Sequence, residues 1–261
     1  MSTDNIQKMF NIKTFLDSLS EDTEKIDVSH KSICYLPDLT RFKNLKILCC
    51  QFNHLTSLPE LNETLQELYC YYNQLTSLPE LSAKLQILCC DDNRLTSLPP
   101  LKNIQILNCY NNRLTSLYLN EKLRTIYCHN NQLTSLLLNE NLQILDCGNN
   151  NLTSLHLNEN LQILYCHYNQ LVYLHLNAKI TTLYFNNNPI YELIGNKNSI
   201  KQLKILNNFR YLYYCLKYKK QFRDLLWIKI REPKIRKKYS HDYLVANLHE
   251  DTDLDELLEN W

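Results

Sequence analysis

Residues 123–136 read LRTIYCHNNQLTSL, residues 142–155 read LQILDCGNNNLTSL and residues 161–174 read LQILYCHYNQLVYL. One phrase, L-x-x-L-x-C-x-x-N-x-L-T-S-L, is being repeated, and repetition at a fixed period decides the architecture ahead of any other signal. Working outward from these three units, the first position falls at Leu45, Leu65, Leu85, Ile104, Leu123, Leu142, Leu161, Ile180 and Ile200, always 19 or 20 residues apart. Asparagine fills the ninth position of all nine: Asn53, Asn73, Asn93, Asn112, Asn131, Asn150, Asn169, Asn188 and Asn208. A unit this short cannot bury its apolar side alone, so consecutive units must stack.

The phrase resembles the repeat of the leucine-rich repeat family, whose leucines at positions one, four, six and eleven surround a fixed asparagine. The wording LTSLPEL at 55–61 and 75–81 is similar to the short-repeat type found in bacterial effector proteins and in leucine-rich repeat proteins of giant amoebal DNA viruses. The resemblance implies an α/β repeat solenoid: a curved leucine-rich repeat with a parallel concave sheet, short extended convex segments and helical caps at both ends. It implies a binding scaffold and names no ligand. The expected domains are an N-terminal helical cap (1–22), the solenoid (23–208) and a C-terminal helical cap (209–261) with basic then acidic segments.

Within a unit, positions three to seven are expected to form a short strand, with four and six facing inward and three, five and seven outward. The ninth-position asparagine should turn in and bond the backbone of neighbouring turns. Too few residues remain for a convex helix, and Pro59, Pro79 and Pro99 fit an extended return. Nine strands would give a sheet on the order of 40 Å long. Residues 23–44 read as an atypical first rung in which Lys31 replaces the asparagine. Ahead of it, Ile6, Met9, Phe10, Phe15, Leu16 and Leu19 recur at helical spacing, with Ile12 off the stripe. Beyond Asn208, a helix over 209–231 and shorter helices near Leu244 and Leu254 are expected.

Seven of the 11 cysteines occupy the sixth position, Cys50, Cys70, Cys90, Cys109, Cys128, Cys147 and Cys166, where a buried column of free thiols suits a reducing compartment. Cys49 and Cys89, at position five, are expected outside the column and accessible. The opening residues and the hydropathy of the sequence lead us to expect neither a signal peptide nor a membrane-spanning segment. The reading is therefore of a cytoplasmic protein, in the host cytoplasm if viral. With a net charge of +1 and two glycines in 261 residues, neither a wholly basic nucleic-acid binder nor a glycine-rich phosphate loop is indicated.

No catalytic, cofactor or metal site is expected. Cys90 with Asp92 spells the C-x-D of effector ubiquitin ligases, yet it occupies a buried rung position where a thiol is a poor nucleophile. Cys128–His129 and Cys166–His167 are adjacent strand residues pointing to opposite faces, so neither pair can converge on one ion. His156 and His175 read as solvated convex residues. Thirteen basic residues between Lys201 and Lys238 face seven acidic ones from Asp242 onward, which pairs them internally and makes nucleic acid an unfavoured partner.

The outward positions carry the functional signal. Position five supplies Tyr69, Tyr127, Tyr165 and Tyr184; position seven Tyr71, Tyr110, His129 and His167; position eight Phe52, Tyr72 and Tyr168; position three Ile47, Ile87, Ile106, Ile144 and Ile163. Aromatic rows are enriched where proteins meet proteins, although strand propensity also favours Tyr and Ile. The expected function is a non-enzymatic protein–protein interaction scaffold with a concave binding face. Its expected partner-binding residues are Tyr69, Tyr71, Tyr72, Asp91, Asp92, Tyr110, Tyr127, His129, Tyr165, His167, Tyr168 and Tyr184, and Arg94 and Arg113 add local charge. The alternatives are a homo-oligomeric structural protein and a ubiquitin-ligase-related effector.

Overall fold

The computed structural model describes residues 10–194 together with Lys201 and Leu203, all within the first of the chain's two compact units, Met1–Lys204. Nine strands follow one another in a single parallel sheet: β1 (Lys25–Asp27), β2 (Ile47–Cys49), β3 (Glu67–Tyr69), β4 (Ile87–Cys89), β5 (Ile106–Asn108), β6 (Thr125–Tyr127), β7 (Ile144–Asp146), β8 (Ile163–Tyr165) and β9 (Thr182–Tyr184). Equivalent positions pair rung to rung, as in Ile47 with Glu67, Leu48 with Leu68 and Cys49 with Tyr69.

Each strand covers positions three to five rather than three to seven. The reason lies at position eight, where the backbone turns into the left-handed region in every rung, with φ between 50° and 55° from His30 to Asn187. A chain preparing that turn cannot stay pleated. Inter-rung bonding nonetheless continues past the strand: the Cys50 amide donates to the Tyr69 carbonyl at 2.8 Å and the Phe52 amide to the Tyr71 carbonyl at 3.1 Å. In the unit opening at Ile200 the described residues Lys201 and Leu203 are helical, and Leu203, at its fourth position, is buried. The ninth strand is instead the atypical first rung. Helix α2 (Pro189–Ile194) leaves the repeat path with proline as its first residue, where a missing amide hydrogen costs nothing.

Position four is fully buried from Ile26 through Leu164, and the sixth-position cysteines from Cys50 to Cys166 form a column at 0% exposure, with Val28 and Phe185 at its ends. All ten cysteines among the described residues are free thiols. The ninth-position asparagines do what a buried turn requires. The Asn131 side-chain amide donates to the carbonyls of Cys109 (3.0 Å) and Cys128 (3.1 Å), while its Oδ1 accepts the Leu114 amide at 2.9 Å. In the first rung, where Lys31 stands instead, Asn53 of the next rung takes over: its Oδ1 accepts the amides of Lys31 and Ile33, each at 3.1 Å.

The return segments contain neither helix nor strand. Leucines are buried in them and asparagines bridge them, the first being Asn62, which donates to the carbonyls of Leu39 (3.2 Å) and Phe42 (2.9 Å). In the earlier units Leu81 and Leu101 are buried there. In the later ones Asn139, Asn158 and Asn177 build a second ladder: Asn158 donates to the carbonyls of Asn139 (2.5 Å) and Leu142 (3.0 Å), and Asn177 to those of Asn158 (2.6 Å) and Leu161 (3.0 Å).

Helix α1 (Ile12–Asp17) is six residues long, capped by Asn11, whose Oδ1 accepts the Thr14 amide at 3.1 Å. Ile12 and Leu16, one turn apart, are its buried face, so Ile12 leads the apolar stripe rather than lying off it. The guanidinium of Arg41 donates to the Leu16 carbonyl and closes the helix end. The expected start of this helix and the C-terminal cap with its basic and acidic segments lie outside the described residues.

Candidate functional site

The sheet's outward face is built from positions three, five, seven and eight. Position eight forms its ridge, and it holds two kinds of side chain on one backbone. At the first three rungs His30, Phe52 and Tyr72 stack in parallel, with centroids 4.2 Å and then 4.7 Å apart and interplanar angles of 15° and 9°. Tyr71, from position seven, meets Phe52 edge-on at 5.3 Å. From Asp92 onward the ridge is polar and directional: Asn111 donates to Asp92 Oδ1 (2.8 Å), Asn130 to Asn111 (2.6 Å) and Asn149 to Asn130 (2.6 Å). Tyr168 then returns an aromatic, 56% exposed.

Positive φ is ordinary for Asn and Asp, whose short side chains tolerate it, and costly for a large aromatic. Phe52, Tyr72 and Tyr168 are therefore not placed by backbone preference. Strand propensity does not place them either, since position eight lies outside every strand. Their exposure, 38% for Phe52 and 48% for Tyr72, shows that core packing is not the cause.

Positions five and seven line the floor. Tyr69 lies between Cys49 and Cys89 in the ladder, its hydroxyl donating to Glu67 Oε2 at 2.9 Å. Its bulk buries both flanking cysteines to 7% exposure, so the expected accessibility of Cys49 and Cys89 does not hold. Burial pushes the Cys89 thiol up to about 12. Asp91 is also buried, at 3% exposure, which removes it from any direct contact; the Tyr110 hydroxyl hydrogen-bonds to it, while burial raises its carboxyl pKa. Asp92 and the half-buried Tyr110 remain on the face.

His129 stacks on Tyr110 with centroids 4.4 Å apart, and its Nδ1 lies 3.0 Å from Asp146 Oδ2. Tyr165 and Tyr184 stack at 5.1 Å, and Tyr127 is half-buried. His167 lies across Gly148: a Cβ there would stand 2.4 Å from its ring, so the glycine makes room for the histidine. Cys128 faces the core while its neighbour His129 faces out, so that pair shares no ligand position. Cys90 is fully buried, and burial pushes its thiol well above the ordinary range, which favours the protonated, poorly nucleophilic form. Arg94 and Arg113 are exposed at position ten, beyond the asparagine and off this floor. On the opposite side of the rungs His156 and His175 are exposed, each beside the ring of Tyr173.

The sequence reading passed over His30, whose place at position eight becomes apparent only once the first rung is in register, and the Asn111–Asn130–Asn149 run. The latter was visible as asparagine one residue ahead of the position-nine asparagine in three consecutive units.

No family profile matches the sequence, and no curated protein does. Solved structures do. YopM from Yersinia enterocolitica WA-314 is 29% identical at a TM-score of 0.63, over 68% of this chain and 40% of that one. YopM from Yersinia pestis, a leucine-rich effector protein, is 31% identical at 0.60, over 68% and 52%. The chain has the leucine-rich repeat fold. It is also similar to the functional domain of InlJ from Listeria monocytogenes, which includes a cysteine ladder, at 30% identity and a TM-score of 0.53, over 63% and 42%. The chain thus spans about half of these proteins or less. Among the described residues no helix is long and apolar enough to cross a membrane.

Proposed function

We propose that this chain is a non-enzymatic interaction scaffold that binds a protein partner on the outward, concave face of its sheet. The observation that carries the reading is the ridge: Phe52, Tyr72 and Tyr168 are exposed aromatics held at left-handed backbone positions that Asn or Asp fills in the intervening rungs. Large, rigid aromatic surface of this kind is what interface hot spots are made of. The proposed contact set is Phe52, Tyr69, Tyr71, Tyr72, Asp92, Tyr110, Tyr127, His129, Tyr165, His167, Tyr168 and Tyr184. A cytoplasmic setting is supported by the free thiol column.

The test replaces Phe52 and Tyr72 together with asparagine, the residue their backbone prefers, and compares partners captured by the variant and the wild type. The reading expects capture to be lost from a folded variant. Unchanged capture would overturn it. Concentration-dependent sedimentation that vanishes in the variant would identify the partner as a second copy of the chain.

A further inference from the structure

From Ile47 to Asn187, positions three, five, seven and eight comprise 32 residues, four in each of eight units. The whole chain has 28 Lys and Arg residues, and not one falls among those 32; the first rung adds Lys25 and Asp27 at positions three and five. Four carboxylates fall among the 32: Glu67, Asp91, Asp92 and Asp146. Each is held by a donor of the same face that carries no fixed charge. Tyr69 donates to Glu67 and Asn111 to Asp92; Tyr110 hydrogen-bonds Asp91, and the Gly148 amide donates to Asp146 Oδ1. These bonds fix the carboxylates in place and leave their charge uncompensated by any lysine or arginine. Beside them lies the apolar ledge of Phe52, Tyr71 and Tyr72.

We infer that the occupant of this face is a basic protein segment, whose arginine or lysine stems lie along the Phe52–Tyr72 ledge while their cationic heads reach Asp92 and Glu67. The inference rests on the scaffold reading and adds the chemistry of the partner. A long basic side chain is the group that matches both halves of the patch, because its methylenes pack on apolar surface while its head stays with charge. Arginine fits best, since its planar fork carries several donors that Glu67 can accept, while Asp92, whose Oδ2 is buried, offers its Oδ1 alone. A polyanion such as a nucleic acid is the occupant that a face repels when its carboxylates outnumber its one fixed cation, Lys25 at position three of the first rung.

The probe is a fluorescently labelled peptide of alternating arginine and serine, with a glutamate–serine peptide of equal length as its counterpart, titrated against the full chain. The test variant is Glu67→Gln with Asp92→Asn, which keeps the acceptors for Tyr69 and Asn111 and removes only two charges. The control is Glu60→Gln with Glu80→Gln, which removes two charges from exposed positions on the return segments. The expected result is binding of the arginine peptide that weakens about tenfold in the test variant, changes less than about twofold in the control, and fades with salt. The glutamate peptide should not bind.

Equal weakening in both variants, or no binding by the wild type, overturns the inference. The two readings separate through the Phe52→Asn, Tyr72→Asn variant. If that variant loses its captured partner while Glu67→Gln, Asp92→Asn keeps it, the scaffold stands and the basic-segment inference falls. If both variants keep it, the scaffold reading falls too.

Discussion

The aromatic and asparagine stretches of the position-eight ridge differ in side chain but not in backbone. His30, Phe52 and Tyr72 sit at φ of 55°, 55° and 50°; Asn111, Asn130 and Asn149 sit at 50°, 55° and 51°. In the asparagine stretch, backbone preference and side-chain bonding agree, because the residue that tolerates the conformation also links each rung to the one before. In the aromatic stretch they conflict, and rings stack in its place. Conflicts between local preference and global structure concentrate at functional sites. The comparison therefore locates the interaction face more sharply than a count of tyrosines does.

The comparison is sharpest against the neighbouring asparagine at position nine. Asn131 makes its bonds inside the rung, whereas Asn130, one residue earlier, makes them at the exposed ridge. Asn131→Ala strands the buried Leu114 amide and two carbonyls, and should cost about 3 kcal/mol or more. Asn130→Ala should cost about 1 kcal/mol. Urea unfolding of the two variants measures both. Similar losses would mean that the ridge is as structural as the inner ladder.

The next effect is on binding. Phe52→Asn with Tyr72→Asn relieves the left-handed strain, about 1 kcal/mol or more per residue, and forfeits ring stacking of similar size. Stability should move by less than about 1 kcal/mol. Binding to a captured partner should weaken by about 2 kcal/mol or more, as loss of a hot spot does. Calorimetry and thermal melting of the same sample separate the two. A variant that unfolds would assign the aromatics to the fold instead.

The reverse exchange tests the other stretch. Asn130→Phe puts an aromatic where asparagine now links Asn111 to Asn149, losing two exposed hydrogen bonds and acquiring the left-handed penalty. The expected cost is about 1–2 kcal/mol. Full stability in this variant would show that position eight accepts any residue, and the inference drawn from Phe52 and Tyr72 would lose its footing.

Much of this was legible from spacing. The inward leucines, the thiol column and the position-nine asparagines are each set by one repeating contact, so a period of 19 or 20 residues carries them. What escaped depends on departures from the period. Strand length was overestimated because the turn at position eight is a backbone property that leucine spacing does not encode. Cys49, Cys89 and Asp91 were read as outward and hence exposed, yet on a close-packed sheet a small residue beside a tyrosine is roofed over. The return-segment ladder of Asn139, Asn158 and Asn177 was written in plain sight, but it lies outside the part of the unit that the leucines define. The partner-binding set was legible as a face and not as a contact, because an aromatic row looks the same whether it binds or only favours a strand.

Asp91 stands at position seven between Tyr71 and Tyr110, where the two stretches of the ridge meet, and its pH response gives the smallest and most local test. Burial raises its carboxyl pKa, and the hydrogen bond from Tyr110 offsets part of that rise. With the folded value above the unfolded one, the folded protein holds this proton more tightly. The stabilisation from protonated Asp91 is then complete below the unfolded value, about 3.9, and is lost as pH rises through the folded value. Asp91→Asn keeps an acceptor for the Tyr110 hydroxyl and carries no charge, so its stability should lack that component. The expected result is that wild-type stability minus that of Asp91→Asn falls as pH is raised from about 3.5 towards neutrality, with the variant the more stable at neutral pH. Urea titrations at a series of pH values read the difference directly. A difference that rises with pH would mean that Asp91 is stabilised as a carboxylate, as a residue open to a cationic partner would be, and would move it from the floor of the face to its contact surface.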